Sequence, residues 1–124
     1  MLPETETDKR KTSRADVHFM VAYGRMREDT IVDRDISQTK NLSEGGLAFT
    51  TSQPFTPQTN LSLKIKLPVT AEPVQITGTV IESREVNPHY IYFTRVTFPE
   101  MDEQKRRAIQ QTIAYYVRKR SLTH

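Results

Sequence analysis

Two short stretches of the chain carry side chains at spacings that suit the binding of anions and purines. The first is Arg10-Lys11-Thr12-Ser13-Arg14, an R-x-x-x-R pattern preceded by Lys9, which sets four cations within six residues. In an extended segment residues four apart lie on one side, about 13 Å apart at ~3.3 Å per residue, so two guanidinium groups can reach different parts of one ligand. The planar fork of arginine bonds a phosphate or the O6/N7 edge of guanine in bidentate fashion, and its face stacks on a base. The second stretch is Asn41-Leu42-Ser43-Glu44-Gly45-Gly46, N-x-S-x-x-G. In extended backbone Asn41 and Ser43 point the same way, and each both donates and accepts hydrogen bonds, as a purine edge requires. Gly45 and Gly46 allow a tight turn and a close approach to a flat ligand. Taken singly, the first stretch reads more simply as a solvated basic tail and the second as an ordinary turn.

No catalytic constellation accompanies them. The sequence has no cysteine, which excludes disulfides, thiolate metal sites and cysteine nucleophiles. His18, His89 and His124 are scattered, with no carboxylate or histidine at ligand spacing, so no zinc site is expected. Asp33 and Asp35 read as the solvent face of a strand, and Ser43 lacks the G-x-S-x-G setting of a hydrolase. Asp35-Ile36-Ser37 partly repeats the second stretch, but Lys40 stands where the glycine is needed. Tyr90, Tyr92, Tyr115 and Tyr116 are expected in the core or an interface. The expectation is a binding protein without metal, cofactor or enzymatic activity.

With 124 residues, the chain has the size of one domain. Residues 1–8 hold three acids and no base and read as a disordered tail; residues 9–124 are expected to form a single domain. No run approaches the ~18–20 apolar residues that span a bilayer, and the start MLPETETDKRK lacks an apolar signal core. These features predict a cytoplasmic location, where the glycosylation pattern Asn41-Leu42-Ser43 has no meaning. The net charge of +3 is concentrated at the basic arm and near the C-terminus.

The elements that must position these residues follow from periodicity. Val17, Phe19, Val21 and Tyr23 alternate as a strand that Gly24 is expected to end. Thr30 to Ser37 and Gly46 to Thr51 are further β-like stretches. Leu61, Leu63, Ile65 and Leu67 alternate cleanly with Ser62, Lys64 and Lys66. Val74 to Ser83 is β-prone around Gly78, where a bulge or bend is expected, and Tyr90 to Phe98 is the most strongly β-prone segment. The period then changes: Ile109, Ile113, Tyr116 and Val117 fall at helical spacing over residues 102–120, with acids at the start and bases at the end. Five or six short antiparallel strands must close or stack to hide their edges, so a barrel or sandwich with one C-terminal helix follows.

In this order, R-x-x-x-R, a strand pair, N-x-S-x-x-G, further strands and a final helix, the chain resembles the PilZ domain family over nearly its whole length after residue 9. Asn41 stands where Asp is commoner in that family, which accepts either. The strand YIYFTRVTF lacks the glycine expected before its final residues. The resemblance implies an all-β fold with a C-terminal helix, a six-stranded antiparallel PilZ-type β-barrel flanked by one α-helix. It implies barrel residues 15–99, a basic arm at residues 9–14 and a helix at 102–120. It further implies a receptor for cyclic di-GMP, with Arg10 and Arg14 gripping phosphates and guanine bases. Asn41, Ser43 and Gly46 would hold a guanine on the barrel surface, with Lys9, Lys11 and Gly45 as further contacts. A protein partner is implied, and the chain would be a monomer or homodimer. The rival readings are a PilZ-like protein-contact module without ligand, and a basic barrel binding single-stranded nucleic acid through Lys9 to Arg14 and aromatic platforms. Concentration of the cations at one arm and the helix end, in place of a lined groove, speaks against the nucleic acid.

Overall fold

The computed structural model describes residues 14–15, 18–88 and 90–122. Among the described residues seven strands precede one helix: β1 (Arg14–Ala15), β2 (Met20–Arg27), β3 (Thr30–Ser43), β4 (Gly46–Thr51), β5 (Asn60–Ile65), β6 (Val74–Asn87), β7 (Ile91–Thr97) and α1 (Glu103–Leu122). All strand pairs are antiparallel, in the order β1-β3-β2-β5-β6-β7-β4, and β4 returns to pair with β3. Strands β2 to β7 therefore form a closed six-stranded barrel, and β1 is a short addition to β3. Closure removes the free edges that so many short strands would otherwise expose.

Alternation along each strand fills the interior. Val21 and Tyr23 of β2, Leu47 and Phe49 of β4, Leu61, Leu63 and Ile65 of β5, and Val80 and Val96 of β6 and β7 are buried together. The Tyr23 ring meets Phe49 and Phe55 edge to face, at centroid distances of 5.0 and 6.3 Å. Burial pushes the Tyr23 phenol above its usual pKa, and its oxygen accepts the Ser52 N–H at 3.4 Å. Polar groups inside are paired. The hydroxyls of Thr51 and Thr94 lie 2.9 Å apart, Ser83 and Thr94 lie 2.8 Å apart, and Thr39 Oγ1 accepts the Phe19 N–H at 2.9 Å. Among the described residues, every buried side-chain polar atom has a partner, as a core without stray desolvation costs requires.

Two glycines differ from their sequence reading. Gly24 does not end a strand but lies inside β2, opposite two residues of β3, Asp33 and Arg34, at a bulge where Asp33 takes a positive φ of 56°. A Cβ on Gly24 would collide with Ile31 Cγ2 and crowd the Val32 carbonyl, so a side chain is excluded by the folded-over β3. Gly78 sits in regular register opposite Leu61, and the irregularities of β6 come later, beyond Val80. A Cβ there would stand 2.9 Å from Leu63 Cδ1 and 3.0 Å from Val96 Cγ2, so Gly78 answers to barrel packing and not to a bend.

The Asp102 carboxylate opens α1 by accepting the Lys105 N–H at 2.9 Å, which satisfies one of the helix's free donors. The helix buries Ala108, Ile109, Thr112 and Ile113 and half-buries Tyr116, whose ring packs edge-on against Phe19 at 5.6 Å. Its Thr112 hydroxyl donates to the Ala108 carbonyl. Val117, on the apolar stripe by spacing, is 38% exposed. These contacts make the helix part of the core, so Ile109→Ala, at a position with no exposure, should cost about 2–5 kcal/mol while leaving one cooperative transition. Urea unfolding followed by circular dichroism checks this; separate melting of helix and barrel would contradict it.

Candidate functional site

The polar residues of the second motif owe their orientation to an extra residue in β3. Thr39 pairs with Phe49 of β4 but Asn41 pairs with Ala48, so Lys40 is unmatched and forms a bulge. Strand alternation would carry inward-facing Thr39 to an inward Asn41 and an outward Leu42. The bulge reverses that phase: Leu42 is fully buried, whereas Asn41 and Ser43 are only half-buried and share the outer face. No hydrogen bond engages the Asn41 side chain among the described residues, which leaves its amide available.

Ser43 and Gly46 are register partners, so Glu44 and Gly45 form a two-residue turn between β3 and β4. Neither turn residue has positive φ. The turn is tied by Ser43, whose Oγ accepts the Gly45 N–H at 3.2 Å and donates to the Gly46 carbonyl at 3.3 Å. The Gly45 carbonyl accepts the Phe98 N–H at 2.9 Å, which fastens the turn to the end of β7. Gly46 is needed for another reason than turn conformation: a Cβ there would collide with the Val96 carbonyl and stand 3.1 Å from Thr97 Cα. Its missing side chain is what lets β7 pack this closely against the turn beside Ser43.

Arg14, from the first motif, pairs through its backbone with Ser43, and Ala15 pairs with Leu42. The two motifs, far apart in sequence, thus meet at one end of β3. Of the other residues singled out by sequence, Lys9, Arg10 and Lys11 lie outside the described residues. Sequence reasoning missed three neighbours. The partners of Asn41 run across the wall as Asn41, Ala48, Arg95 and Glu82, while those of Ser43 run as Gly46, Thr97 and Thr79. Arg95 and Thr97 therefore face the same outer patch; Arg95 Nε lies 3.6 Å from a Glu82 carboxylate oxygen. On the other side, Arg106 of α1 lies 3.8 Å from Glu44 of the turn and 3.8 Å from Glu103. Alternation in β7 marks Arg95 as outward, but only the register places it two strands from Asn41.

The result is a shallow polar patch with the Asn41 amide unengaged among the described residues, the Ser43 hydroxyl held in the turn and cations on both sides, suited to a flat, anionic ligand. Two cavities of about 550 Å³ each lie elsewhere, one bounded by Ala22, Ile31, Arg34, Ile36 and Lys64, the other by Arg25, Asp33, Phe55 and Asn60. Among the described residues, no group of three or more His, Asp or Glu side chains is placed to hold a metal ion. No helix among them is long and apolar enough to cross a membrane.

Residues 8–115 match the family model described as PilZ domain. No curated protein sequence is significantly similar to the chain. Solved structures share the fold. The Bacillus subtilis inhibitor of motility MotI/DgrA is 19% identical, with a TM-score of 0.68 over 90% of this chain and 51% of that one. The K. pneumonia MrkH–c-di-GMP complex is 15% identical, with a TM-score of 0.70 over 94% of this chain and 56% of that one. The chain thus spans about half the length of these two. The PilZ domain of Escherichia coli YcgR with c-di-GMP is 13% identical, with a TM-score of 0.63 over 93% of this chain and 96% of that one.

The turn geometry separates its two glycines. Gly46→Ala must displace β7 backbone and should cost about 1–3 kcal/mol. Gly45→Ala meets nothing nearer than Ser43 Oγ at 4.0 Å, and at this exposed position it should change stability by no more than about 0.5 kcal/mol. Urea midpoints of the two variants check the contrast; equal effects would contradict it.

Proposed function

The chain belongs to the PilZ domain family, and on that premise we propose that it is a non-enzymatic receptor for cyclic di-GMP. The observation that carries the proposal is the β1–β3 register, which sets Arg14 beside Ser43. That pairing brings the backbone at the end of the first motif beside the second, next to an Asn41 side chain with no hydrogen bond among the described residues. Two solved neighbours, MrkH and the YcgR domain, are complexes with c-di-GMP, which supports the choice of ligand.

In this reading Asn41 and Ser43 hydrogen-bond a guanine edge, and Gly46 lets the base approach the wall. Arg10 and Arg14 grip phosphates and guanine bases, with Lys9, Lys11 and Gly45 as further contacts. The segment 9–14 closes over the ligand. Fixing each residue costs about 1–2 kcal/mol, and a charge-assisted hydrogen bond returns only about 1.5–3 kcal/mol, so several contacts must form together. The proposed output is a new surface for a protein partner in the cytoplasm, built from the ordered arm and the adjoining helix. The Glu44–Arg106 contact connects the ligand-bearing turn to that helix. Burial of Phe19, Tyr23, Phe49 and Phe55 in the core favours this reading over a single-stranded nucleic acid, which needs rings in a surface row.

Calorimetric titration of cyclic di-GMP is the test. The wild-type chain should bind it, and Arg14→Ala should weaken binding at least about tenfold with an unchanged melting temperature, since a lost charged contact is worth roughly 1.5–3 kcal/mol. Amide exchange at residues 9–14 should slow on ligand addition. A folded wild-type chain giving no heat would contradict the receptor function; exchange equally fast with and without ligand would contradict closure of the arm.

A further inference from the structure

We propose that Arg95 is a further ligand-binding residue, one that reads the O6/N7 edge of the guanine held by Asn41 and Ser43. The inference rests on the cyclic di-GMP reading above and extends it to a residue outside both motifs. Asn41, Ala48 and Arg95 are consecutive partners across β3, β4 and β7, so Asn41 and Arg95 stand two strand spacings apart, about 9–10 Å. Between them lies Ala48, whose small side chain is buried and raises no obstacle between the two outward side chains. A base lying across that strand, with one edge on Asn41 and Ser43, presents its opposite edge to Arg95. Purines offer at that edge the acceptor pair O6 and N7 only when the base carries a carbonyl at the sixth position, and the parallel Nη–H donors of an arginine match the pair.

The guanidinium is available for this task. Its neighbour Glu82 lies 3.6 Å from Nε, too long for a hydrogen bond, and both side chains are about half exposed. Such exposed pairs contribute little to stability and are readily exchanged for a better partner. Among the described residues no hydrogen bond engages the guanidinium. Glu82 thus orients Arg95 along the wall without occupying its terminal nitrogens.

The test compares the affinities of wild type, Arg95→Ala, Arg95→Lys and Glu82→Gln for cyclic di-GMP and cyclic di-AMP by calorimetry. The adenine analogue carries an amino donor where guanine has O6. The proposal predicts that Arg95→Ala binds cyclic di-GMP about tenfold or more weakly, the range expected for a bidentate base contact. It also predicts that the preference of wild type for the guanine ligand shrinks, that Lys does not restore it, and that Glu82→Gln binds at least as tightly as wild type. Wild-type binding with Arg95→Ala within twofold would overturn the role of Arg95 while leaving the receptor function intact. Full restoration by Lys would overturn base reading, since a point charge would then suffice. A loss in Glu82→Gln equal to that in Arg95→Ala would show the pair to be structural and overturn the contact. Absence of binding to the folded wild-type chain would overturn the receptor function and this inference together.

Discussion

One unmatched residue in β3 governs what the outer face of the barrel presents. A strand in a closed barrel has a fixed phase, because each residue points either into a packed interior or away from it. Thr39 faces inward and must stay there, since its hydroxyl satisfies the Phe19 N–H. Leu42 must also face inward, since it is fully buried in the core. Three positions separate them, an odd interval that a regular strand cannot bridge. The bulge at Lys40 resolves the conflict, and in doing so turns both Asn41 and Ser43 outward. The proposed site is therefore a consequence of core packing on either side of it, held by a register that cannot slip without exposing Leu42.

Strand pairing also sets the rest of the site. Barrel closure brings β7 beside β4, which places Arg95 and Thr97 near the second motif. The short β1 brings the first motif to the end of β3. Ser43 holds the turn through its hydroxyl, with bonds of 3.2 and 3.3 Å. Engaging a base through that hydroxyl exchanges one set of modest hydrogen bonds for another, and the turn that depends on it touches α1 through Glu44 and Arg106. A change at the patch thus has a physical route to the helix, and the helix is anchored in the core by Ile109 and Ile113.

Much of this architecture was legible in the sequence because burial imposes a period. Leu61, Leu63 and Ile65 alternate with polar residues and are the inward positions of β5; Ile109, Ile113 and Tyr116 fall at helical spacing and are the inward face of α1. The order of the motifs identified the family. What was not legible depends on contacts between distant strands. Gly24 looks like a strand end until β3 is folded over it, and Gly78 looks like a bend until Leu63 and Val96 are packed against it. The polar run from Gln38 to Asn41 hides a continuous strand because its bulge breaks the alternation. Gly46 was legible as a residue of interest, but its constraint is the Val96 carbonyl of another strand. Alternation marks Arg95 only as outward, and register alone makes it a neighbour of Asn41.

The central claim is that ligand recognition occurs on the outer wall formed by β3, β4 and β7. Amide and side-chain NMR shifts recorded while cyclic di-GMP is titrated into the chain test it directly. The account predicts that the perturbed residues cluster at Asn41, Ser43, Gly45, Gly46, Arg95 and Thr97. Perturbations centred on the cavity bounded by Ile31, Arg34 and Lys64, with Asn41 and Ser43 unmoved, would contradict it.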